Sequence, residues 1–523
     1  MVRFSRVIFA TVLASALGAH SAFAQVSCLP IERIDVRGTS LLSAAEVSAT
    51  IAPYEGRCLG IPQINAALEA ITFSYVDKGY ITARAYLPEQ NLADGVLDIR
   101  VVEGKLSAIR FNGETRKLWQ AIVFPDMIGR TANLREIEQG LERIRAMPSY
   151  SAEMEVSAGT AEGESILDVT AQAEKRWSAR LGASNHGSPN SGEYLSTLDL
   201  TYDHLLGMNE SWALNLSRGV STFPFSFEEG PEANYSIGTT ARFPYGPWLL
   251  KATYKYSAYN TDHLGPITTI GTDGWTHSAD LTLSRVISRG QDSKTTLSAQ
   301  LARRDAVNRI AEITIIRSSR VLTTARIDLE HERILWGGKL TARAGVSKGL
   351  DFLGAEVFSE QPDGQPNAQF TLVDFGLKYA QTWETGIGNI GYNGAIKGQW
   401  GFDKLYGAQQ FALGGISTLR GAKGSVIAGN SGVLWRNELS WNPNITLPAT
   451  FGQIQLYGAL DLGYIHRDVD LGIAGGGALG SAVGVRTIGG MISADVAWHQ
   501  VLLVPNGVSA PDGILLLSVS ARY

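Results

Sequence analysis

The sequence predicts an all-β transmembrane barrel of sixteen strands, preceded by two small α/β units. Three features of the chain of 523 residues lead to this fold class. The chain begins with an export signal, its hydrophobic periodicity changes from helical to alternating near Lys175, and the later connections alternate between short and long. Such a chain leaves the cytoplasm and has strands, rather than apolar helices, with which to cross a membrane.

The export signal occupies residues 1–24. A basic start and an apolar stretch from Val7 to about Ala19 precede the small-x-small cleavage site Ala22-Phe23-Ala24. Because the apolar core is too short to span a bilayer, this pattern predicts a cleaved signal peptide. The sequence has no later run of 18 or more apolar residues. An exported soluble protein and an outer-membrane barrel therefore both remain open at this point.

The composition excludes several classes of protein. A formal net charge of -5 lacks the positive excess of a nucleic-acid binder, so no nucleic-acid partner is expected. Two cysteines exclude a disulfide-dense scaffold and any multi-cysteine metal site. Cys28 and Cys58 are either unpaired thiols or one disulfide, and an oxidising compartment favours the bond. That bond would close a loop of about thirty residues and add roughly 3–4 kcal/mol in the chain-entropy model.

Two copies of one small α/β unit are expected, at 25–104 and 105–174. In each copy the apolar periodicity gives the order strand, helix, helix, strand, strand. Ser43 and Glu46 form a capping box at the start of the first helix. The other predicted elements are strands 31–36, 80–86 and 96–102 with helix 62–78 in the first copy, and strands 106–111, 154–158 and 166–173 with helices 117–128 and 134–144 in the second.

Beyond Lys175, over residues 175–523, apolar and polar side chains alternate. Leu250 and Ala252, for example, alternate with Lys251 and Thr253. Short turns and long loops follow each other almost throughout, which is typical of an outer-membrane barrel with short periplasmic turns and long outer loops. The sixteen predicted strands are 177–185, 193–204, 210–219, 233–243, 247–259, 275–287, 293–304, 320–332, 338–348, 369–383, 389–401, 433–441, 453–465, 479–487, 490–499 and 514–523.

The longest connection, at about 402–432, carries the most specific residues. It contains Phe411, then the pair Gly414 and Gly415, and then Leu419-Arg420-Gly421.

The strands that follow this connection carry two further motifs. Arg436-Asn437-Glu438-Leu439 comes first, and Asp461-x-Gly463 lies in the next predicted strand. Asp461 and Gly463 share one face of that strand. Because lipid tolerates a carboxylate poorly, we expect this face to point into the lumen.

With these motifs in this order, the chain resembles the outer-membrane transporters of two-partner secretion, the TpsB family of haemolysin and filamentous-haemagglutinin secretion-activation type. The resemblance covers the mature chain nearly end to end. In the first α/β unit it includes Cys28–Ile31, Cys58, Gly79-Tyr80 and Val101–Gly104. It implies that both α/β units are POTRA domains and that a sixteen-stranded barrel follows them.

The resemblance also implies roles for the loop residues. The family's sixth outer loop folds back into the barrel, and its arginine pairs with the aspartate of an Asp-x-Gly motif. Those residues correspond to Arg420 and Asp461, with Gly421 and Gly463 beside them. An arginine fork binds a carboxylate through two hydrogen bonds, which would anchor the loop in a wet lumen. The sequence departs from the family at Ala422, where an aromatic residue is usual.

Both chain ends also carry expectations. Gln25–Ser27, after the cleavage site, are too few residues for the plug helix that family members often have. The loop at 419–428, helped by the loop around 351–370, is therefore expected to obstruct the lumen at rest. The last residue, Tyr523, keeps the aromatic character that the barrel assembly machinery recognises.

The resemblance implies a pore in the bacterial outer membrane, surrounded by lipid, with its POTRA domains in the periplasm. Its cargo would be a large TpsA-type exoprotein, bound unfolded in the periplasm. The alternative is an assembly or insertion factor of the same superfamily, although such factors usually carry three or five POTRA domains. A hydrolase, a rival of another class, would need a serine–histidine constellation that the sequence lacks.

No enzymatic activity, cofactor or metal is expected. The letters Gly475-x-Gly477-x-x-Gly480 fit a dinucleotide fingerprint, but the strand–helix unit that such a site needs is missing around them. They are assigned to a flexible outer loop.

Overall fold

The computed structural model describes residues 28–189, 191–222, 232–264, 269–316, 318–357, 364–424, 426–445, 447–468, 472–473, 475–505, 508 and 510–523. The predicted signal peptide and Gln25–Ser27 lie outside the described residues. Two compact units are formed, one by the described residues up to Lys105 with 131–133 and 161–163, the other by the remainder. Within the described ranges, none of the helices combines the length and apolarity needed to cross a membrane.

The first α/β unit is a three-stranded sheet covered by two helices. Its elements are β1 (Leu29–Ile31), β2 (Arg33–Arg37), α1 (Ala44–Ile51), β3 (Arg57–Leu59), α2 (Ile61–Asp77), β4 (Ala83–Tyr86), a short 3-10 turn (Leu92–Asp94) and β5 (Val96–Glu103). β5 lies in the centre, parallel to β2 and antiparallel to β4. Tyr75 of α2 packs on Leu97 and Ile99 of β5 in the core. The predicted capping box forms, because Ser43 and Glu46 each accept the other's backbone N–H.

A disulfide joins Cys28 to Cys58, with the two Cα atoms 5.2 Å apart. The bond ties the residue before β1 to β3, and these two short strands pair with each other outside the main sheet. Of the two alternatives left open by the sequence, the structure contains the disulfide.

The second α/β unit repeats the order of the first. Its elements are β6 (Lys105–Phe111), α3 (Lys117–Val123), α4 (Leu134–Arg145), β7 (Ser151–Ala158) and β8 (Glu164–Gln172), with β8 between β6 and β7. Helix α3 is shorter than the predicted 117–128. Pro125 disfavours helical geometry in the residue before it, and Phe124 has left the helical region with ψ at 60°.

The barrel consists of sixteen full strands and one two-residue strand. They are β9 (Trp177–Ser184), β10 (Tyr194–Asp203), β11 (Ser211–Val220), β12 (Ala233–Tyr245), β13 (Trp248–Leu264), β14 (Thr269–Arg289), β15 (Ser293–Ile310), the short β16 (Ile313–Thr314), β17 (Arg320–Leu335), β18 (Gly338–Leu350), β19 (Thr371–Thr385), β20 (Gly388–Gly401), β23 (Gly432–Pro443), β24 (Gly452–Ile465), β25 (Gly476–Gly489), β26 (Ile492–Leu503) and β27 (Ile514–Arg522). Between β20 and β23, the small strands β21 (Phe411–Leu413) and β22 (Ile427–Gly429) form a separate hairpin.

Each barrel strand is antiparallel to its neighbours, and β9 pairs with both β10 and β27. The barrel is therefore closed, and the predicted sixteen-stranded fold is confirmed. β13 and β15 run farther than predicted, to Leu264 and Ile310. Beyond the membrane both faces of a hairpin contact water, so pairing continues where the apolar alternation has stopped.

The two faces of the wall differ in side chains. Along β24, Leu460, Leu462 and Tyr464 are exposed on the outside, whereas Tyr457 and Asp461 are buried on the inside. An exposed apolar outer face is what lipid requires, and along β24 the carboxylate lies on the lumen side.

Candidate functional site

The long connection between β20 and β23 lies against the inner face of the barrel wall. A buried apolar cluster joins it to that wall. The members of this cluster are Leu413, Leu419 and Ala422 in the loop and Leu434, Ile465 and Ala478 in β23, β24 and β25. Ala422 fits in this cluster with 3% of its surface exposed, although the sequence left the packing of the tip in doubt.

Arg420 lies at the centre of the contact between loop and wall. Its Nη1 donates to Asp461 Oδ1 at 2.5 Å, and its backbone N–H donates to Asp461 Oδ2 at 2.9 Å. Its Nη2 donates to Glu438 Oε2 at 2.7 Å. The arginine therefore spans two carboxylates on neighbouring strands, and its backbone is held as well as its side chain.

Two wall arginines complete the network. Arg436 donates from Nη1 to the backbone oxygen of Ser417 at 2.9 Å, and its Nε lies 3.5 Å from Asp461 Oδ1. Arg486 Nη2 donates to Glu438 Oε1 at 2.6 Å. Asp461 is completely buried and has both guanidinium and backbone partners. Charge-assisted bonds of this kind are about twice as strong as neutral ones.

Three glycines allow the loop to approach the wall closely. Gly421 has φ at 89°, and a Cβ there would lie 2.5 Å from the backbone of Gln500. A Cβ on Gly480 would lie 2.2 Å from the backbone oxygen of Arg420, and one on Gly463 would lie 2.5 Å from Leu413. The assignment of Gly477 and Gly480 to a flexible outer loop is wrong, whereas the predicted strand 479–487 is correct for Gly480. It lies within β25, where a larger residue would push Arg420 away.

The other predicted loop residues have structural roles nearby. Phe411 begins β21, which pairs with β22, and packs at the edge of the buried cluster. Gly414 and Gly415 have positive φ and form a turn closed by Thr418, whose hydroxyl donates to Gly414 O at 2.6 Å. This turn sets the position of Arg420 just after it.

Sequence reasoning missed several members of the site. Glu438 was quoted only as part of a motif, and Arg486 was not singled out. Lys404, near the start of the loop, was missed too, and its Nζ lies 2.6 Å from Asp468 Oδ2. Only an inward position on a strand marks Glu438 and Arg486, and that signal is shared by every lumen side chain; Lys404 lies in a loop, where no periodicity marks it.

The second α/β unit contacts the barrel at three periplasmic turns, between β10 and β11, between β12 and β13, and between β14 and β15. Glu142 of α4 pairs with Arg289 and with Lys294, the latter at 2.8 Å. Trp119 of α3 donates from Nε1 to Asn209 Oδ1 at 2.9 Å, and its ring packs against that of His204 at a tilt of 42°. Burial lowers the pKa of His204, so its ring stays neutral and Nδ1 accepts the Asn209 N–H at 3.1 Å. These contacts hold the α4 end beside the lumen mouth.

In the first α/β unit, Glu103 is a carboxylate that closes the fold. It accepts the backbone N–H groups of Ser40 and Leu41 at 2.6 and 2.9 Å and the hydroxyl of Tyr75 at 2.8 Å. Partial burial pushes the pKa of Glu103 upward, but hydrogen bonds from Ser40, Tyr75 and Leu41 outweigh it and hold the pKa below the usual value. The residue was quoted in a sequence motif without this role.

A closed barrel, two periplasm-type α/β units and an ion-paired loop inside the wall define an outer-membrane transporter. The family described as "Haemolysin secretion/activation protein ShlB/FhaC/HecB" matches residues 163–487. A ShlB-type POTRA domain matches 29–104, and a POTRA domain matches 105–158. The chain belongs to this family, and it is an outer-membrane transporter whose POTRA domains lie in the periplasm.

Known relatives agree with this membership. The outer membrane transporter CdiB of Escherichia coli O6:K15:H31 is 33% identical over 94% of this chain and 82% of the relative. The hemolysin transporter protein ShlB of Serratia marcescens is 28% identical over 80% of this chain and 73% of the relative.

Solved structures give the same picture. CdiB from Escherichia coli superposes with a TM-score of 0.89 at 31% identity, covering 97% of this chain and 93% of that one. CdiB from Acinetobacter baumannii has a TM-score of 0.78 at 21% identity, with the same coverage, and supports the fold alone.

Proposed function

We propose that this chain exports one large TpsA-type exoprotein, and the name of the relative ShlB, a hemolysin transporter protein, makes a haemolysin one candidate cargo. The exoprotein arrives unfolded in the periplasm, threads through the barrel and folds outside. Outward folding biases the movement, so the proposal needs no catalytic step, cofactor or metal in this chain. Residues 1–24 are removed, 25–104 and 105–174 form the periplasmic domains, and 175–523 form the barrel, which the barrel assembly machinery inserts into lipid.

The periplasmic domains offer edges at which the cargo can add a strand. β7 is an edge strand of the second unit's sheet, because within the described residues it pairs with β8 alone. An extended segment added to an exposed edge gains backbone hydrogen bonds without a demand on its sequence. This suits an unfolded partner.

The observation that carries the proposal is a polar groove along one side of the lumen. Two cavities, of about 600 Å³ and 300 Å³, share Gln300, Glu330 and Arg343 as lining residues. The smaller cavity is also lined by Glu142 and Arg143 of α4, so the groove continues to the periplasmic mouth. The long loop covers the wall at β23 to β26, and its residues 408–411 also form one border of the larger cavity.

Four of the charged residues along this groove are paired with each other: Arg326, Asp328, Arg343 and Asp374. Arg326 donates to Asp328 Oδ2 at 2.7 Å and to Asp374 Oδ2 at 2.6 Å, and Arg343 donates to Asp328 at 2.8 Å. A passing chain gains little from charges that already have partners. The groove therefore presents a hydrated polar surface to which the cargo binds only weakly.

We propose further that the loop stays docked while the cargo passes. Arg420 and Asp461 anchor it, Gly421 and Gly463 allow the close contact, and the turn at Gly414 sets the register. The cargo then needs only the open side of the lumen.

The test is photo-crosslinking of an arrested candidate exoprotein from single sites of this chain that carry a photoreactive amino acid. Gln300, in the groove, should crosslink to the cargo. Leu297, three residues away on the lipid face of β15, is the matched control and should not. Ala482, on the inner face that the loop covers, should also be silent. Crosslinks from Ala482 without any from Gln300 would contradict the proposed route.

A further inference from the structure

The barrel closes where its first strand, β9, meets its last, β27. This seam spans five residue pairs, from Arg180 with Arg522 to Ser184 with Ser518. The pairings on either side, β9 with β10 and β26 with β27, span eight each. β27 begins at Ile514, so its outer residues lie beyond the last paired residue of β9. The outer end of the seam therefore has fewer paired residues than the two neighbouring strand pairs.

Asn185 continues the seam beyond this point. Its backbone N–H donates to Leu517 O at 3.2 Å, and its Oδ1 accepts the Leu517 N–H at 2.8 Å. Its Nδ2 donates to Leu515 O at 2.8 Å. The side-chain amide has the same donor and acceptor groups as a peptide bond. Asn185 thus hydrogen-bonds to β27 beyond the last residue pair of the two strands.

The tip of the long loop reaches this same residue. Lys423 Nζ donates to the backbone oxygen of Asn185 at 2.6 Å and to Glu193 Oε1 at 2.5 Å. The lysine side chain is only 10% exposed. Glu193 comes just before β10, so the ammonium group bridges both sides of the connection between β9 and β10.

The loop reaches the seam along the inner wall. Arg420 lies against Gly480 of β25, Gly421 lies against Gln500 of β26, and Gly424 lies beside Pro189. Successive loop residues therefore cross one strand after another toward β9. The contact of Lys423 is the end of a continuous path, which makes it part of the docked arrangement of the loop.

We propose that Lys423 is a positioning residue that fastens the outer end of the seam from inside the lumen. By joining Asn185 to Glu193, it fixes the residue that extends the pairing to β27. The seam is tight while the loop is docked, and release of the loop tip loosens it. This inference concerns the barrel wall and does not depend on which cargo is exported.

The test is hydrogen–deuterium exchange, followed by mass spectrometry, on the full-length protein in lipid nanodiscs. Native-state exchange reports the population of opened forms. In Lys423→Met, the amides of Asn185 and Leu517 should exchange about tenfold faster, the scale expected for loss of a hydrogen bond to a charged group. Amides of β13 and β14 should be unchanged. Lys423→Arg, which keeps a positive donor, should stay near the wild-type rate.

Lys404→Met is the matched control, because this lysine belongs to the same loop and contacts Asp468. Unchanged exchange at Asn185 and Leu517 in Lys423→Met would overturn the proposal. Equal acceleration in Lys404→Met would overturn it as well, since general loosening of the loop would then control the seam. The heat-modifiable shift in gel mobility measures how much of each variant is folded, so that exchange is compared between folded preparations. If Lys423→Met does not fold, Glu193→Gln removes the charged partner and should shift exchange in the same direction.

Discussion

Removal of either partner of the loop anchor should release the loop, and the two removals should differ in severity. The network contains three guanidinium groups, from Arg420, Arg436 and Arg486, and two carboxylates, from Glu438 and Asp461. Arg420→Ala leaves two of each, and each carboxylate keeps an arginine, with Asp461 3.5 Å from Arg436 and Glu438 2.6 Å from Arg486. Asp461→Ala leaves three cations around one carboxylate.

The magnitudes follow from this count. Breaking a buried ion pair costs roughly 3–5 kcal/mol, because the remaining charge is left without compensation. Asp461 is completely buried, so Asp461→Ala should approach this range. Arg420→Ala should cost about half as much, since the remaining arginines compensate both carboxylates. The double mutant should lose less than the sum of the two single losses, as expected for coupled residues.

Loop release can be measured with trypsin added to intact cells. In the wild type Lys423 is buried in the docked loop and should resist cleavage. Cleavage after Lys423 should rise strongly in Asp461→Ala and less in Arg420→Ala, and secretion of the exoprotein should fall in the same order. Arg303→Ala is the control, because the pair of Arg303 with Asp305 is more than a third exposed and should contribute little. Wild-type protease resistance and secretion in both anchor mutants, or greater damage from Arg420→Ala, would refute the reasoning.

Three further outcomes are expected. Deletion of 419–428 should convert small or flickering currents in planar bilayers into large, stable channels; equal conductance of the intact and deleted forms would show that this loop does not obstruct the lumen. Cys28 and Cys58 should be bonded in the mature protein, and replacing both by serine should lower the stability of the first POTRA domain by roughly 3–4 kcal/mol; two free thiols in non-reducing mass spectrometry would contradict this. Since the pKa of Glu103 is lowered on folding, its contribution is complete above the unfolded-state value and is lost as pH falls through the lowered value. Glu103→Gln should therefore make the acid unfolding of that domain less steep, and an unchanged pH profile would rule out the role of this carboxylate.

The barrel could be predicted from the sequence because lipid imposes a rule on every strand. An apolar residue must recur at every second position on the outer face, and this alternation marks sixteen segments. The end of α3 could also have been predicted from the sequence, because Pro125 disfavours helical geometry in the residue before it. The two three-residue strands β1 and β3 could not, because three residues are too few to show a periodicity.

The site divides in the same way. Arg420 and Asp461 stand in motifs, and the structure brings them together. Glu438 meets Arg486, and Lys423 meets Glu193, only because segments far apart in the chain come together in the fold. No local sequence pattern records such contacts. Gly480 illustrates the difficulty: the sequence places it both in a glycine-rich stretch assigned to a loop and in the predicted strand 479–487, and neither assignment shows that it lies opposite Asp461 and against Arg420.

The pairing of β9 with β27 also has a consequence for how the molecule is made. Leu517 hydrogen-bonds to Asn185 across 332 positions of the chain. Contacts so distant in sequence form late, because the loop entropy must be overcome first. Until β27 has been synthesised and delivered, β9 presents an unsatisfied sheet edge, which is a template for wrong partners. We therefore expect the nascent polypeptide to depend on a chaperone that shields this edge, and a chain truncated before β27 to be degraded.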